Sequence, residues 1–226
     1  MNKNTFCKRF LFKLVFALIF INQTTAQTSK FILNIEAAPN IRFLSGNFNS
    51  TQVNEPTIGF YSGITAQFPL KNNWSIVTGV GFERKGSVIK TEWTDFNANR
   101  IGTYNTYVNH DYLIVPVLFR ASFGNKINCY FNGGVYYGYL LAAKFNAERP
   151  NLPNIQLNDE YISKSDFGVS IGGGIKINVT KNLAIPIEIR SNHGLINTNK
   201  AENINNGAIK TNAINLIVGL SYNFSN

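Results

Sequence analysis

The sequence predicts an all-β fold: an eight-stranded antiparallel transmembrane β-barrel with long external loops and short periplasmic turns. Three observations predict it. Apolar and polar residues alternate with a period of two, short turns alternate with long polar connections, and glycine and charged residues share one phase of the alternation. An even number of strands with this alternation of connections is typical of bacterial outer-membrane barrels.

Period-two alternation defines the predicted strands. In the clearest one, Phe167, Val169 and Ile171 occupy one phase, and Gly168 and Ser170 occupy the other. Because successive side chains of a strand point to opposite faces, the pattern separates a lipid-facing set from a lumen-facing set. The predicted strands cover residues 31–43, 57–69, 74–85, 109–123, 128–142, 164–178, 183–191 and 209–224.

Short and long connections alternate strictly between these strands. The short ones contain Asn and Lys and cover residues 70–73, 124–127 and 179–182. The long ones are polar and cover residues 44–56, 86–108, 143–163 and 192–208. Both ends of the predicted barrel therefore lie on the short-turn side, which is the periplasmic side.

The first 26 residues have the order of a cleavable signal peptide. Four basic residues precede the apolar run 14–21, and Thr24-Thr25-Ala26 places small residues before a cut at Gln27. A membrane anchor is the alternative, but a spanning helix needs about 20 apolar residues. We therefore expect residues 1–26 to be removed and residues 27–226 to form the barrel domain, which is exported to the outer membrane.

Composition after this cut excludes several classes of function. Losing four basic and no acidic residues lowers the formal net charge from +9 to +5, so a nucleic-acid partner is not expected. Cys129 is the single cysteine left, which leaves no intramolecular disulfide. No phosphate-cradling glycine loop, catalytic carboxylate pair or metal-ligand cluster is recognisable, and no cofactor or metal is expected.

Charged side chains of the strands share the phase of the glycines and are predicted to form a lumen charge network. An Arg or Lys facing lipid at the midplane would cost about 2–4 kcal/mol, which explains this phase. We expect the charges to pair and plug the lumen, with Arg120 bound to at least one carboxylate; an ion path is the alternative. The network comprises Glu36, Glu83, Lys85, Arg120, Lys176, Glu188 and Arg190, and Arg42 shares its phase.

Three residues depart from the strand pattern. Arg84 has the outward phase, at a height where we expect it to meet lipid phosphates. Pro116 and Pro186 fall inside strands, where a missing N–H breaks a ladder bond and a closed barrel offers no edge. We expect a bulge or locally open pairing at Pro116, whereas the sequence offers no explanation for Pro186.

Several stretches together resemble the PorT-like family of small outer-membrane barrels. They are YLIVPVLFR at 112–120, DFGVSIGGGI at 166–175, and IEIR at 187–190 followed by Gly194-Leu195. The resemblance implies an eight-stranded barrel with a role near protein secretion, and it carries over no catalytic residues. The ending GLSYNF also resembles the signal read by the barrel-assembly machinery, with Gly219, Tyr222 and Phe224 as its residues.

The favoured function is a non-enzymatic role in structure, assembly or interaction within the cell envelope, with support of protein secretion as its sharpest form. The expected partners are outer-membrane lipid, the barrel-assembly machinery and other envelope or secretion proteins. The alternative is a cell-surface enzyme acting on lipid or protein through rim residues near His110 and His193, with Asp111 and Ser191 close in sequence. A soluble lipocalin-type barrel is a third possibility, opposed by the outward apolar phase.

Overall fold

The computed structural model describes residues 31–46, 52–94, 97, 100–124, 127–148, 155–157, 162–199 and 208–224. The predicted signal peptide, residues 1–26, lies outside the described residues. Ten strands are present in them: β1 (Ile32–Gly46), β2 (Gln52–Glu55), β3 (Thr57–Pro69), β4 (Trp74–Thr94), β5 (Arg100–Phe123), β6 (Ile127–Glu148), β7 (Ile155–Leu157), β8 (Ser165–Asn178), β9 (Leu183–Gly194) and β10 (Ile209–Asn223).

Eight of the strands form a closed antiparallel barrel. Going around the wall, their order is β1-β3-β4-β5-β6-β8-β9-β10. Pairing of β10 with β1, from Ile32 opposite Asn223 to Gly46 opposite Ile209, closes the ring. Each of these eight strands therefore pairs with a neighbour on both sides. The predicted eight-stranded antiparallel fold is confirmed.

The two faces of each strand differ as the alternation predicts. On β8, Asp166 and Ser170 are buried in the lumen, whereas Phe167 and Ile171 are exposed on the outer wall. The same outward phase carries exposed isoleucines, leucines, valines and phenylalanines on all eight barrel strands. No helix among the described residues is long and apolar enough to cross a membrane.

Several strands continue far beyond their predicted ends. The segment 86–108, predicted as a loop, is largely a hairpin, since β4 pairs with β5 from Gly86 opposite Asn109 to Trp93 opposite Gly102. Along this hairpin burial no longer alternates, since Ser87 and Val88 are both buried although they point to opposite faces, and the period-two pattern disappears from the sequence. The predicted strand ends at residues 85 and 109 are therefore wrong, because β4 and β5 continue through most of the predicted connection.

Among the described residues, the extension lies on one side of the barrel. Strands β4, β5 and β6 rise together, with β2 paired to β4 and β7 paired to β6 at their outer ends. Residues 86–94 alone extend about 30 Å at roughly 3.3 Å per residue. Strands β8 and β9 have 14 and 12 residues, against 24 for β5. The wall thus has a tall side, made by β2 and β4–β7, and a low side, made by β8–β10.

Pro116 opens the ladder locally, as predicted. The pairing of β4 with β5 lacks partners between Thr78 opposite Val117 and Gly81 opposite Ile114, without a change of register. The bulge of the β5–β6 pair lies elsewhere, at Leu141 of β6, opposite the step from Asp111 to Tyr112. The missing N–H of proline therefore costs a short break in one ladder, while the ladder to β6 continues across it.

Pro186, unexplained by the sequence, has a packing role. Its ring is buried in the lumen opposite Gly219, where an added Cβ would lie 3.2 Å from the Pro186 Cγ. The ladder between β9 and β10 is interrupted from Val218 to Ser221, opposite this proline. The ring fills the space that the glycine leaves, at the point where this ladder is interrupted.

Candidate functional site

The lumen holds two clusters of charged side chains. The inner cluster lies toward the short turns and comprises Glu36, Arg120, Glu188 and Arg190. The outer cluster lies toward the long connections and comprises Glu83, Lys85 and Asp166. Every member of both clusters is at most 4% exposed.

Glu188 is the centre of the inner cluster. Its carboxylate accepts hydrogen bonds from Arg190 Nε at 2.7 Å, Asn132 Nδ2 at 2.8 Å and Arg120 Nη2 at 3.2 Å. Arg190 Nη1 also reaches Glu36 at 3.4 Å. Two carboxylates and two guanidinium groups therefore alternate across the lumen, and their formal charges cancel.

Neutral side chains complete the inner cluster. Arg120 donates to Asn132 and Gln67 and stacks on Tyr130, with its guanidinium carbon 4.0 Å from the ring centroid. Glu36 accepts hydrogen bonds of 2.9 Å from Tyr61 and Thr65. Tyr130 thus lies buried in the lumen, against this guanidinium group.

Lys85 is the centre of the outer cluster. Its ammonium donates to Asp166 at 2.9 Å and to the Tyr136 hydroxyl at 2.8 Å, and it lies 3.5 Å from Glu83. Glu83 also accepts from Asn192 and Asn215. Asp166 is not among the predicted network residues, but it has the same inward phase, and that phase is the signal that identifies it.

Arg42 and Lys176 lie at opposite ends of the lumen. Arg42 donates to the backbone carbonyls of Lys85 and Val108 at 2.9 Å and to Asn109. Lys176 is half-buried and lines a shallow pocket at the turn end with Asn178 and other polar residues. Within the described part of the chain, Lys176 has no carboxylate within salt-bridge distance, so it lies apart from the other network residues.

The rim residues predicted for an enzyme lie on opposite sides of the wall. His110 points into the lumen, 2% exposed, between the rings of Tyr112 and Phe145. Asp111 points outward and binds Arg84, with a 2.6 Å bond from Nε. Arg84 is therefore on the outer face as predicted, but its partner is a carboxylate of the neighbouring strand.

Ser191 and His193 point outward on the low side, near the external end of β9. The Ser191 hydroxyl lies 2.9 Å from His193 Nε2, and His193 Nδ1 lies 3.3 Å from Asn212 Oδ1 on β10. Asn212 Nδ2 donates to Ser45 on β1 at 2.9 Å. His110 and His193 therefore do not form one site, because His110 points into the lumen and His193 points outward. In addition, β5 is not adjacent to β9.

The residues of the predicted assembly signal lie at the turn end of β10. Tyr222 and Phe224 are exposed on the outer wall, and Phe224 stacks on Phe31 with ring centroids 4.7 Å apart. Gly219 has the opposite phase and lies beside Glu36 and Pro186 in the lumen.

A match to a family model agrees with the closed barrel, its apolar outer wall and its charged lumen. A model of the outer membrane protein beta-barrel domain matches residues 23–200. The chain belongs to this family. It is an outer-membrane β-barrel protein, which excludes the lipocalin-type alternative. No curated protein matches the chain.

Solved structures similar to the chain include outer-membrane proteins of several bacteria. A major outer membrane protein of Thermus thermophilus is 14% identical, with a TM-score of 0.47 over 86% of this chain and 99% of that one. OprG of Pseudomonas aeruginosa is 10% identical, with a TM-score of 0.46 over 88% and 97%. The outer membrane protease OmpT of Escherichia coli is 12% identical, with a TM-score of 0.40 over 89% and 99%.

Proposed function

We propose that this protein is a non-conducting outer-membrane barrel that acts through its external strands, in a structural, assembly or interaction role in the cell envelope. The observation that carries the proposal is the contrast between a filled lumen and a tall side that rises outside the membrane. Outer-membrane lipid surrounds the wall, and the barrel-assembly machinery inserts it through the signal at Gly219, Tyr222 and Phe224. This role requires no catalysis.

The lumen supports the non-conducting part of the proposal. Glu188 and Lys85 each bind several partners across the interior, and both are at most 2% exposed. Breaking such buried pairs leaves uncompensated charge, so an ion cannot displace them cheaply. In planar bilayers the purified protein should give no stable unitary conductance. Reproducible conductance steps from the wild-type protein would contradict the plug.

The tall side supports the interaction part. Its outer ends are the short strands β2 and β7, each of which is paired on one side only among the described residues. A free strand edge offers backbone N–H and C=O groups to a strand of another protein, which is a common mode of recognition. We propose other envelope or secretion proteins as the partners, in line with the resemblance to PorT-like barrels.

A shortened hairpin tests this role. Replacing residues 90–105 by Asn-Gly leaves Ile89 opposite Thr106 as the closing pair of a two-residue turn. The shortened barrel should reach the outer membrane and keep its gel-shift, while proteins crosslinked to the wild-type hairpin should be lost and secreted proteins should decrease in the medium. Unchanged crosslinks and unchanged secretion, with the barrel present at wild-type amounts, would refute the role.

A further inference from the structure

A chain of four hydrogen-bonded polar side chains crosses the outer wall on the low side. It runs from Ser191 to His193 on β9, on to Asn212 on β10 and to Ser45 on β1. His193 and Asn212 are directly opposite in the ladder, as are Ser191 and Ile214. The chain lies near the external ends of β9 and β10, on the face that carries the apolar side chains.

The orientation of the Asn212 amide fixes the proton positions in this chain. Its Nδ2 donates to Ser45, so its Oδ1 faces His193 Nδ1 and accepts that N–H. The imidazole then carries its proton on Nδ1, which leaves the Nε2 lone pair to accept the Ser191 hydroxyl at 2.9 Å. This is the tautomer that a general base needs toward a serine nucleophile.

We propose that Ser191, His193 and Asn212 form a hydrolytic site for acyl esters of outer-leaflet lipids. Ser191 is the nucleophile, His193 the general base and acid, and Asn212 the positioning residue that holds the imidazole. This inference goes beyond the proposed interaction role and does not depend on it. It takes up the enzymatic alternative, keeping Ser191 and His193 and placing Asn212 where His110 and Asp111 were considered.

The surroundings of Ser191 identify the substrate class. Its neighbours across the two ladders are Ile171 and Ile214, which are 62% and 39% exposed on the outer wall. The hydroxyl therefore lies at the boundary between an apolar surface and the external end of the strands. In a lipid the acyl ester occupies this same boundary, with its hydrocarbon chain on one side and its polar head on the other.

Lys210 adds a polar contact for the head of such a lipid. It lies two positions before Asn212 on β10, on the same outward phase, and is paired with Ser45 of β1. A cation at the external interface can bind a lipid phosphate, while the acyl chain lies against the isoleucines. The site therefore fits an anionic or zwitterionic lipid.

The proposed reaction is acyl transfer to serine followed by hydrolysis. Ser191 Oγ forms a bond to the acyl carbon, its proton passes to His193 Nε2, and the C–O bond to the lipid alcohol breaks. The alcohol oxygen takes the proton from Nε2 and leaves. Water then attacks the acyl-enzyme by the same proton route, which releases a fatty acid and restores the Ser191 hydroxyl.

A fluorophosphonate probe tests the nucleophile directly. The full-length protein is purified from outer membranes, treated with the probe in detergent, and the modified peptide is identified by mass spectrometry. Ser191 should be labelled in the wild-type protein, and labelling should be lost in Ser191→Ala and His193→Ala. The matched control is Ser62→Ala, because Ser62 is an exposed outward hydroxyl on β3 outside the proposed site, and its labelling should equal that of the wild type.

Lipid hydrolysis tests the complete site. Vesicles of phosphatidylethanolamine with a fluorescent acyl chain should lose labelled fatty acid in the presence of the wild type, and Ser191→Ala should abolish the release. Asn212→Ala should lower kcat by up to about 10²–10⁴-fold with little change in KM, because the imidazole loses the acceptor that holds its orientation and the general base is then misplaced. Asn212→Asp keeps that acceptor and should restore the rate.

A purely structural role of these four side chains predicts a different result. If the four side chains merely satisfy one another's hydrogen bonds at the membrane interface, the folded wild type will take up no probe and release no fatty acid. That outcome, with folding shown by the gel-shift on heating, would overturn the proposal. Labelling that persists in Ser191→Ala would overturn it as well.

Discussion

The polar groups of the lumen and those of the outer wall are arranged in different ways. In the lumen, Glu188 has three charged or amide donors and Lys85 has three partners, and both are almost completely buried. On the wall, Ser191 has one partner, His193, and their hydrogen bond is exposed. Several hydrogen-bond partners and full burial hold a charged group in place and keep it from reacting with a substrate. A single directed partner at an accessible hydroxyl is what nucleophilic chemistry needs.

Removing Glu188 should produce the largest effect on stability. Glu188→Ala leaves two buried guanidinium groups, those of Arg120 and Arg190, without their shared carboxylate. Loss of one partner of a buried pair typically costs about 3–5 kcal/mol of unfolding free energy. The measurement is urea unfolding of the purified barrel in detergent, followed by the gel-shift.

A surface pair gives the matched control for Glu188. Glu55 and Lys90 are 2.7 Å apart, but both side chains are 42% exposed. An exposed pair is worth about 0–1 kcal/mol, so Glu55→Ala should hardly shift the unfolding midpoint. Equal losses for the two variants would show that the lumen charges do not form a tight network.

A double-mutant cycle measures the coupling of Arg120 with Glu188. The two groups are 3.2 Å apart, so the double variant Arg120→Ala/Glu188→Ala should be more stable than the sum of the single losses predicts, by about 0.5–3 kcal/mol. Arg84→Ala combined with Glu188→Ala is the reference, because Arg84 binds Asp111 on the outer face and should be additive. Additivity in both pairs would refute direct coupling.

Close approach of strands in the lumen should make one glycine essential. A Cβ at Gly174 would lie 2.2 Å from the Ile187 carbonyl oxygen of β9, whereas a Cβ at Gly133 meets nothing within 4 Å. Overpacking of this kind costs about 1–3 kcal/mol, so Gly174→Ala should lower the unfolding midpoint and Gly133→Ala should not. The gel-shift transition of the two variants decides this, and equal midpoints would contradict the packing.

The smallest effect on stability is expected on the outer wall. Ser191→Ala and Asn212→Ala each remove hydrogen bonds between neutral side chains, which are worth about 0.5–1.5 kcal/mol each. Thermal gel-shift should therefore show only small losses, larger for Asn212→Ala, which loses two hydrogen bonds, than for Ser191→Ala, which loses one, while the hydrolysis assay should separate both strongly from the wild type. Destabilisation of either variant as severe as that of Glu188→Ala would remove the contrast between wall and lumen.

The sequence by itself determined the strands, their phase and the face of each charge. Period-two alternation is a local property, and the cost of a charge facing lipid is the same wherever it occurs, so Arg120 and Glu188 are assigned to the lumen without knowledge of their partners. Asp166 also has the inward phase, but only the structure shows that Lys85 is its partner.

Tertiary structure decided which residues meet. Arg120 and Glu188 are 68 residues apart in the chain, and only strand order and register place them in contact. The same register places Asn212 opposite His193. His193 and His110, by contrast, lie on opposite faces of the barrel wall. The sequence also did not reveal the tall side, because burial does not alternate along the β4–β5 hairpin and the period-two pattern is lost there. Local alternation thus fixed the faces, whereas contacts between distant segments depend on the closure of the sheet, which no local pattern contains.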